Sequence, residues 1–166
     1  DLTESFTKQV LAGSRGKVED GLVHITKPGF VPLDNSRIHG DVALRVVFQG
    51  CLKASVRRAS PVSYTASVES LPASGERRAA LFQYDDALKT TTGFGSMNAT
   101  LDARFDLTVD HELVISAIGE QMGYWLDGRL VHTAQSDAAA RGFLSLSFQN
   151  PPVFSDVIAR VRKVEY

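Results

Sequence analysis

The sequence contains a single cysteine among its 166 residues, and it has no long hydrophobic run. Cys51 has no partner with which to form a disulfide within the chain, and we expect it to be a buried, unreactive thiol. No apolar stretch approaches the roughly 18 residues that a membrane-spanning helix needs. The sequence therefore predicts neither a disulfide-stabilised framework nor insertion into a membrane.

An excess of charge of either sign is also missing, because 18 basic residues stand against 19 acidic ones. A dedicated nucleic-acid-binding protein needs a basic stripe that neutralises phosphates. The four histidines show no zinc-type spacing, and no Gly-x-Ser-x-Gly motif is present. The composition thus argues against a nucleic-acid partner and a zinc site, and it predicts no metal centre and no cofactor.

The chain starts at Asp1 without a methionine, a basic segment or an apolar signal region. This start favours either a mature exported product or a module of a larger protein, and an exported or cell-surface location is the preferred expectation. At about 150 residues per domain, residues 1–166 are expected to form one domain.

Alternation of apolar and polar residues dominates the sequence and predicts an all-β protein. The predicted strands are Leu22–Thr26, Val42–Gln49, Leu52–Arg57, Val62–Glu69, Ala79–Tyr84, Phe105–Val109, Glu112–Ile118, Met122–Leu126, Arg129–Thr133, Phe143–Phe148 and Val157–Val164. Short strands joined by close turns are typical of a two-sheet antiparallel sandwich or jelly roll.

Three segments do not follow this alternation. Phe6–Ala12 is consistent with a short helix or an edge strand, and Ser136–Ala140 with one turn of helix. The run from Thr90 to Asn98 is interpreted as a mobile surface loop.

The stretch from Glu112 to Thr133 predicts two hairpins with two-residue loops at Gly119-Glu120 and Asp127-Gly128. This register places Leu113 opposite Leu126, Ile115 opposite Tyr124 and Ala117 opposite Met122. Since opposed residues share a face, these six side chains and Val131 form an apolar core face. Across the second turn, Tyr124 is expected opposite Val131 and Trp125 opposite Leu130.

The other face of these hairpins includes Trp125, Gly123 and His132. A large aromatic ring beside a gap and an imidazole suits a sugar ring, which stacks on aromatic faces. The alternative is that a loop covers Trp125 and that His132 makes only local hydrogen bonds.

Taken in order, several motifs resemble one superfamily. They are Val18–Val23, Gly40–Phe48, His111–Ile115, Trp125–Val131, Gly142–Leu146 and the closing strand Phe154–Val164. Their order and spacing resemble the concanavalin A-like lectin/glucanase jelly-roll superfamily over roughly residues 5 to 165. Within it, the keto-disaccharide hydrolase domain family is the nearest resemblance, followed by laminin G-like modules. The resemblance implies two antiparallel sheets and a concave face that carries any ligand site.

Three departures concern the activity that this resemblance implies. In the hydrolase family, the strand after the Val42–Gln49 equivalent reads Asn-Ser-Gly, an aliphatic pair and then Arg, and here only Arg57 of that pattern remains. The histidine that the family places after the Gly-x-aliphatic-x-Leu strand is missing from Ser147–Asn150. The Glu-x-Asp-x-x-Glu string of the glucanase branch does not occur either. No catalytic residue is therefore assigned.

Two arginines and a tyrosine complete the candidate ligand contacts. Arg45 and Arg57 are expected to project from one non-core face, and Tyr84 ends its strand at the rim. Arginine offers a planar donor fork that suits sugar hydroxyls and carboxylates. The alternative for each arginine is a surface salt bridge. Asp85-Asp86 supplies oxygen ligands that would suit calcium, although a solvated turn is the simpler interpretation.

These observations support three hypotheses. The preferred one is a noncatalytic, lectin-like carbohydrate-binding module that uses Arg45, Arg57, Tyr84, Trp125 and His132 on its concave face. The second is a sugar-processing glycoside hydrolase resembling the keto-disaccharide hydrolase family. The third is a structural module that binds a protein partner. Fold alone does not decide among them.

Overall fold

The computed structural model describes residues 1–34, 36–59, 62–85, 87–149 and 152–166, with the backbone alone for residues 93–99. The elements are α1 (Thr3–Ala12), β1 (Gly16–Glu19), β2 (Leu22–Ile25), β3 (Gly29–Pro32), β4 (Val42–Gly50), β5 (Leu52–Ala59), β6 (Val62–Ser70), β7 (Arg77–Asp85), β8 (Thr90–Thr100), β9 (His111–Ile118), β10 (Gln121–Leu126), β11 (Arg129–Gln135), β12 (Phe143–Phe148) and β13 (Ala159–Glu165). No helix in the described part of the chain is long and apolar enough to cross a bilayer.

The strands form two antiparallel sheets, which confirms the predicted all-β sandwich. A seven-stranded sheet has the order β1-β2-β13-β4-β9-β10-β11, and a six-stranded sheet has the order β3-β12-β5-β6-β7-β8. The two sheets pack face to face through the apolar faces of strands in which buried and exposed side chains alternate. For example, Leu44, Val46 and Phe48 of β4 are fully buried in the core, whereas Arg45 and Val47 between them are only half-buried.

The first predicted hairpin is confirmed in its register. Leu113 pairs with Leu126 and Ala117 with Met122, and all four side chains are buried. The Asp127-Gly128 turn, which joins β10 to β11 in the second hairpin, has φ of 51° and 74°, as a type I′ turn requires. The core face of β9 and β10 therefore follows from the two-residue Gly119-Glu120 loop and from alternation.

The second hairpin departs from the predicted register by one residue. Trp125 pairs with Leu130 as expected, but Tyr124 pairs with His132 instead of Val131. Val131 is the additional residue of a β-bulge, a local insertion that shifts every later residue of the strand to the other face. His132 therefore does not share a face with Trp125.

Two segments differ from their predicted secondary structure. Phe105–Val109 is not a strand, because the carboxylates of Asp102 and Asp106 each accept a hydrogen bond from the backbone two residues further on and close turns. Thr90–Thr100 is not a loop, because its backbone pairs with β7 at the edge of the six-stranded sheet.

The remaining differences lie in the connections. Ser136–Ala140 forms no helical turn, since the Ala139 amide donates instead to the Tyr64 hydroxyl at 2.9 Å. The short strands β1 and β3 were not predicted. The Phe6–Ala12 segment is part of a true helix, and Phe6 and Val10 bury their side chains in the core.

Candidate functional site

The outer face of the six-stranded sheet carries small hydroxyl side chains at alternate positions of β5, β6 and β12. We call this surface the serine–threonine face, and its residues are Ser55, Ser63, Thr65, Ser67 and Ser145. The residues between them belong to the core, so alternation turns these side chains outward. All five are nevertheless buried, from 0% exposed at Ser67 to 8% at Ser63. Because these small side chains point outward and are still buried, we interpret them as a recessed floor between larger neighbours.

Cross-strand register arranges this floor in rows that end at aromatic rings. Ser145 pairs with Ser55, Ser55 with Thr65, and Thr65 with Phe82. The hydroxyls of Ser55 and Thr65 are 2.8 Å apart and hydrogen-bonded. In the neighbouring row, Tyr84 pairs with Ser63. Phe82 and Tyr84 therefore stand beside the floor on β7.

Charged and further aromatic groups border the same face. The Lys53 ammonium forms an ion pair with Glu69 at 2.8 Å and lies 5.6 Å from the centroid of the Phe82 ring. At the opposite side of the sheet, the Arg58 guanidinium lies 3.9 Å from the centroid of the Phe30 ring. Hydroxyls, an ion pair and aromatic rings around a recessed floor are the groups that orient sugars.

Ser67 links this floor to the other sheet. Its carbonyl accepts a hydrogen bond from the Tyr124 hydroxyl at 3.0 Å across the core. Burial raises the pKa of Tyr124, which keeps this hydroxyl protonated as a donor. The Ser67 hydroxyl itself has no hydrogen-bond partner among the described residues. A buried hydroxyl without a partner is uncommon in folded proteins.

Two of the candidate residues from the sequence, Arg45 and Trp125, lie on the opposite side of the sandwich. Both pair with Val114 on the outer face of the seven-stranded sheet, so one strand separates them. Arg45 is held by Glu112, with its Nε 2.7 Å from Oε2, and by Glu165. The salt-bridge alternative for Arg45 therefore describes its contacts.

Arg57 is buried between the sheets, with 1% of its surface exposed. Its guanidinium donates to the carbonyls of Gly40 at 2.9 Å, Gly119 at 2.5 Å and Ala117 at 3.2 Å, and it lies 3.0 Å from the Asp41 carboxylate. Arg57 thus joins β5 of one sheet to the β9–β10 hairpin of the other. It does not project from the same face as Arg45, because a bulge in β5 and a φ of 48° turn its side chain inward.

The last two candidate residues are also apart from each other. Tyr84 borders the serine–threonine face, as described above, whereas His132 is half-buried on the edge strand β11. The five candidate residues therefore occupy four places: Arg45 and Trp125 share the seven-stranded face, and Tyr84, Arg57 and His132 lie elsewhere.

The candidate calcium ligands were Asp85 and Asp86, and Asp86 lies outside the described residues. The Asp85 carboxylate accepts hydrogen bonds from the backbone of Ala87 and Leu88 at 2.9 and 3.0 Å. The Asp85 carboxylate thus closes a local turn. The described residues contain no group of three histidine, cysteine, aspartate or glutamate side chains arranged to hold a metal ion.

The serine–threonine face was missed from the sequence, although a signal for it exists. Serine or threonine recurs with a period of two in Ser63–Ser67 of β6, and Ser55 and Ser145 have the same parity in their own strands. Each run by itself is an ordinary solvated strand face. Only the register of β12, β5 and β6 aligns the three runs.

Comparison with known proteins bears on the fold. The sequence matches no protein-family model, and no curated protein matches it either. Solved structures do match. The carbohydrate binding module CBM66 from Bacillus subtilis superposes with a TM-score of 0.62 at 16% identity, over 90% of this chain and 88% of that one. The chain has the concanavalin A-like jelly-roll fold.

Two further structures show how widely this jelly-roll fold is used. The Bacillus licheniformis β-glucanase has a TM-score of 0.59 at 12% identity, over 92% of this chain and 81% of that one. The Caenorhabditis elegans galectin LEC-6 has a TM-score of 0.53 at 10% identity, over 91% and 100%. At these identities the similarity establishes the jelly-roll fold and leaves the function to the chemistry of the site.

Proposed function

We propose that the protein is a noncatalytic carbohydrate-binding module whose ligand site is the serine–threonine face. The observation that carries this proposal is the recessed row of hydroxyls on Ser145, Ser55 and Thr65 that ends at Phe82. Neighbouring strands lie about 4.8 Å apart, so three of them present a hydroxyl-lined floor about 10 Å long. An extended saccharide fits such a floor, with its polar edges on the hydroxyls and an apolar ring face on Phe82 or Tyr84.

Structural neighbours agree with carbohydrate binding as a class. A carbohydrate binding module and a galectin share the fold, as do β-glucanases. Because both binding proteins and enzymes are among them, the choice between the two rests on the carboxyl groups of this chain.

The carboxyl chemistry favours binding without hydrolysis. Glycoside hydrolysis usually needs two carboxyl groups, one of them a general acid with a raised pKa. Glu112 and Glu165 do meet at one guanidinium, that of Arg45, but on the other sheet. Hydrogen bonds from Lys163 and Arg45 hold the pKa of Glu165 below its ordinary value, the opposite of what a general acid requires. On the serine–threonine face, Glu69 is engaged by Lys53 at 2.8 Å.

The test is a glycan and polysaccharide panel, with and without calcium, in which binding and product release are measured together. We expect binding without product. Phe82→Ala and Tyr84→Ala should each weaken the affinity about two- to tenfold, since an aromatic contact contributes about 0.5–1.5 kcal/mol. Trp125→Ala is the matched control, because it removes an aromatic ring from the opposite face.

Three results would contradict the proposal. Product release would favour the hydrolase hypothesis and the keto-disaccharide hydrolase resemblance. Loss of binding in Trp125→Ala with unchanged binding in Tyr84→Ala would move the site to the seven-stranded sheet. No binding to any glycan would favour a module that recognises a protein partner.

A further inference from the structure

A second recess lies on the outer face of the seven-stranded sheet, at its β1–β2–β13 edge. Lys17, His24 and Arg160 are cross-strand partners there, and the segment Phe154–Val157 forms one wall. The cavity has a volume of about 310 Å³. Its size is at the lower end of the range that small-molecule sites occupy. Because it lies on the other side of the sandwich, it is separate from the serine–threonine face.

Two of the residues that line this cavity each carry a buried polar atom without a hydrogen-bond partner among the described residues. His24 is 7% exposed, and its Nε2 has no hydrogen-bond partner among the described residues. The same holds for Nε of Arg160, the residue paired directly with His24 on the neighbouring strand. Buried polar groups are nearly always hydrogen-bonded, so two such atoms on paired residues that line one cavity point to a polar ligand there.

Neighbouring groups hold both side chains in position. The Arg160 guanidinium lies 4.1 Å from the centroid of the Phe154 ring, and its Nη1 is 3.4 Å from Oε1 of Gln49. Nδ1 of His24 lies 3.6 Å from the Glu19 carboxylate. These contacts orient the unsatisfied atoms before a ligand arrives, which lowers the entropy lost on binding.

The charges of the cavity balance, which distinguishes it from an anion site. Lys17 and Arg160 are offset by Glu19 and Asp156, which line the same cavity. Lys17 forms an ion pair with Glu19 at 2.7 Å, and its hydrogen bond holds the pKa of Glu19 below the ordinary value. Glu19 is therefore an ionised acceptor at neutral pH. An anionic ligand would meet two carboxylates here.

A hydroxyl group matches the two unsatisfied atoms. In a neutral imidazole, one ring nitrogen donates and the other accepts, and a proton on Nδ1 facing Glu19 leaves Nε2 of His24 as the acceptor. Nε of Arg160 can only donate. We propose that this cavity binds a neutral sugar residue, one hydroxyl of which donates to His24 Nε2 and accepts from Arg160 Nε. Phe154 offers the ring an apolar contact.

The experiment follows the Nε–Hε resonance of Arg160 and the amides of residues 154–157 by nuclear magnetic resonance. The probes are glucose, galactose and mannose, with glucuronate and sulfate as charged comparisons. We expect a saturable shift with at least one neutral hexose. Arg160→Lys keeps the charge but removes the Nε–H donor, and it should weaken this binding about tenfold, as should His24→Leu. Arg162→Lys is the matched control, because Arg162 lies on the same strand and binds Asp110 at 2.6 Å.

The possible outcomes distinguish binding in this cavity from binding at the serine–threonine face. Tyr84→Ala should leave the shifts at residues 154–157 unchanged, and their loss in that variant would overturn the second site. A response to sulfate and glucuronate alone would show an anion site and overturn the neutral ligand. The absence of a saturable shift with every hexose would also overturn the proposal, as would unchanged affinity in both folded variants, Arg160→Lys and His24→Leu.

Discussion

The indole of Trp125 lies over Gly123, two residues earlier on β10. A Cβ atom at Gly123 would be 2.2 Å from Cη2 of the indole and 3.2 Å from the Ser116 hydroxyl. The gap that Gly123 was expected to leave beside Trp125 is therefore occupied by the indole ring itself. The ring of Trp125 therefore leaves less room for a sugar beside Gly123 than the composition of β10 suggests.

Gly123→Ala should destabilise the protein by about 1–3 kcal/mol, because the new methyl group displaces the indole from its position. Chemical unfolding measures the free energy, and tryptophan fluorescence reports the displaced ring, since Trp125 is the single tryptophan. Gly40→Ala is the control, because a Cβ there meets nothing within 4 Å. Equal stability of the two variants would contradict this account of the packing.

Arg57→Leu should cost at least about 3 kcal/mol of unfolding free energy. The substitution leaves the carbonyls of Gly40, Gly119 and Ala117 without the donor that joins the two sheets. Thermal and urea unfolding test this value.

Arg104→Leu serves as the control for Arg57→Leu, because 91% of the Arg104 side chain is exposed and its loss should change stability by less than about 0.5 kcal/mol. A folded Arg57→Leu protein of normal stability that no longer binds glycan would instead support the ligand role predicted from the sequence.

Because of His39, the free energy of unfolding should decrease as the pH falls below neutrality. The side chain is buried against the Tyr166 ring, with ring centroids 4.8 Å apart. Burial lowers the pKa of His39 from its ordinary 6.5 and Arg37 acts in the same direction, although Asp34 opposes the shift. A lowered folded pKa contributes stability above about pH 6.5, and this stability is lost as the pH falls through the folded value.

The variant His39→Phe removes this titration, so its unfolding free energy should depend less on pH below 6.5 than that of the wild type. Unfolding curves at several pH values between 4.5 and 8 give the comparison. Parallel pH profiles for the two proteins would contradict the prediction, and a nuclear magnetic resonance titration of His39 would measure the pKa directly.

Local patterns were sufficient for most strands and for one hairpin. The alternation in β4 and β9, and in β5 as far as Val56, predicts both the strands and their buried sides, because a side chain's face in a regular strand depends on its parity. Asp127-Gly128 specifies its turn for an equally local reason, since both residues tolerate positive φ. The Phe105–Val109 segment has the same alternation, but the turns closed by Asp102 and Asp106 override it.

The candidate site was less predictable, because its residues come from strands that are distant in sequence. Nothing in the sequence shows that Ser145 pairs with Ser55, 90 positions earlier, or that Arg57 turns inward at a bulge. A single additional residue, Val131, likewise moved His132 away from Trp125. Such shifts depend on long-range packing and not on the composition of one strand.

The sequence by itself determined the all-β class, the jelly-roll resemblance and the core faces of the central strands, since these depend on alternation and turn chemistry within short segments. Only the tertiary structure decided which polar residues share a surface. Strand order and register brought Ser55, Thr65 and Ser145 together on one sheet and set His24 beside Arg160 on the other. Both surfaces exist because antiparallel pairing aligns residues far apart in the chain to within about 5 Å.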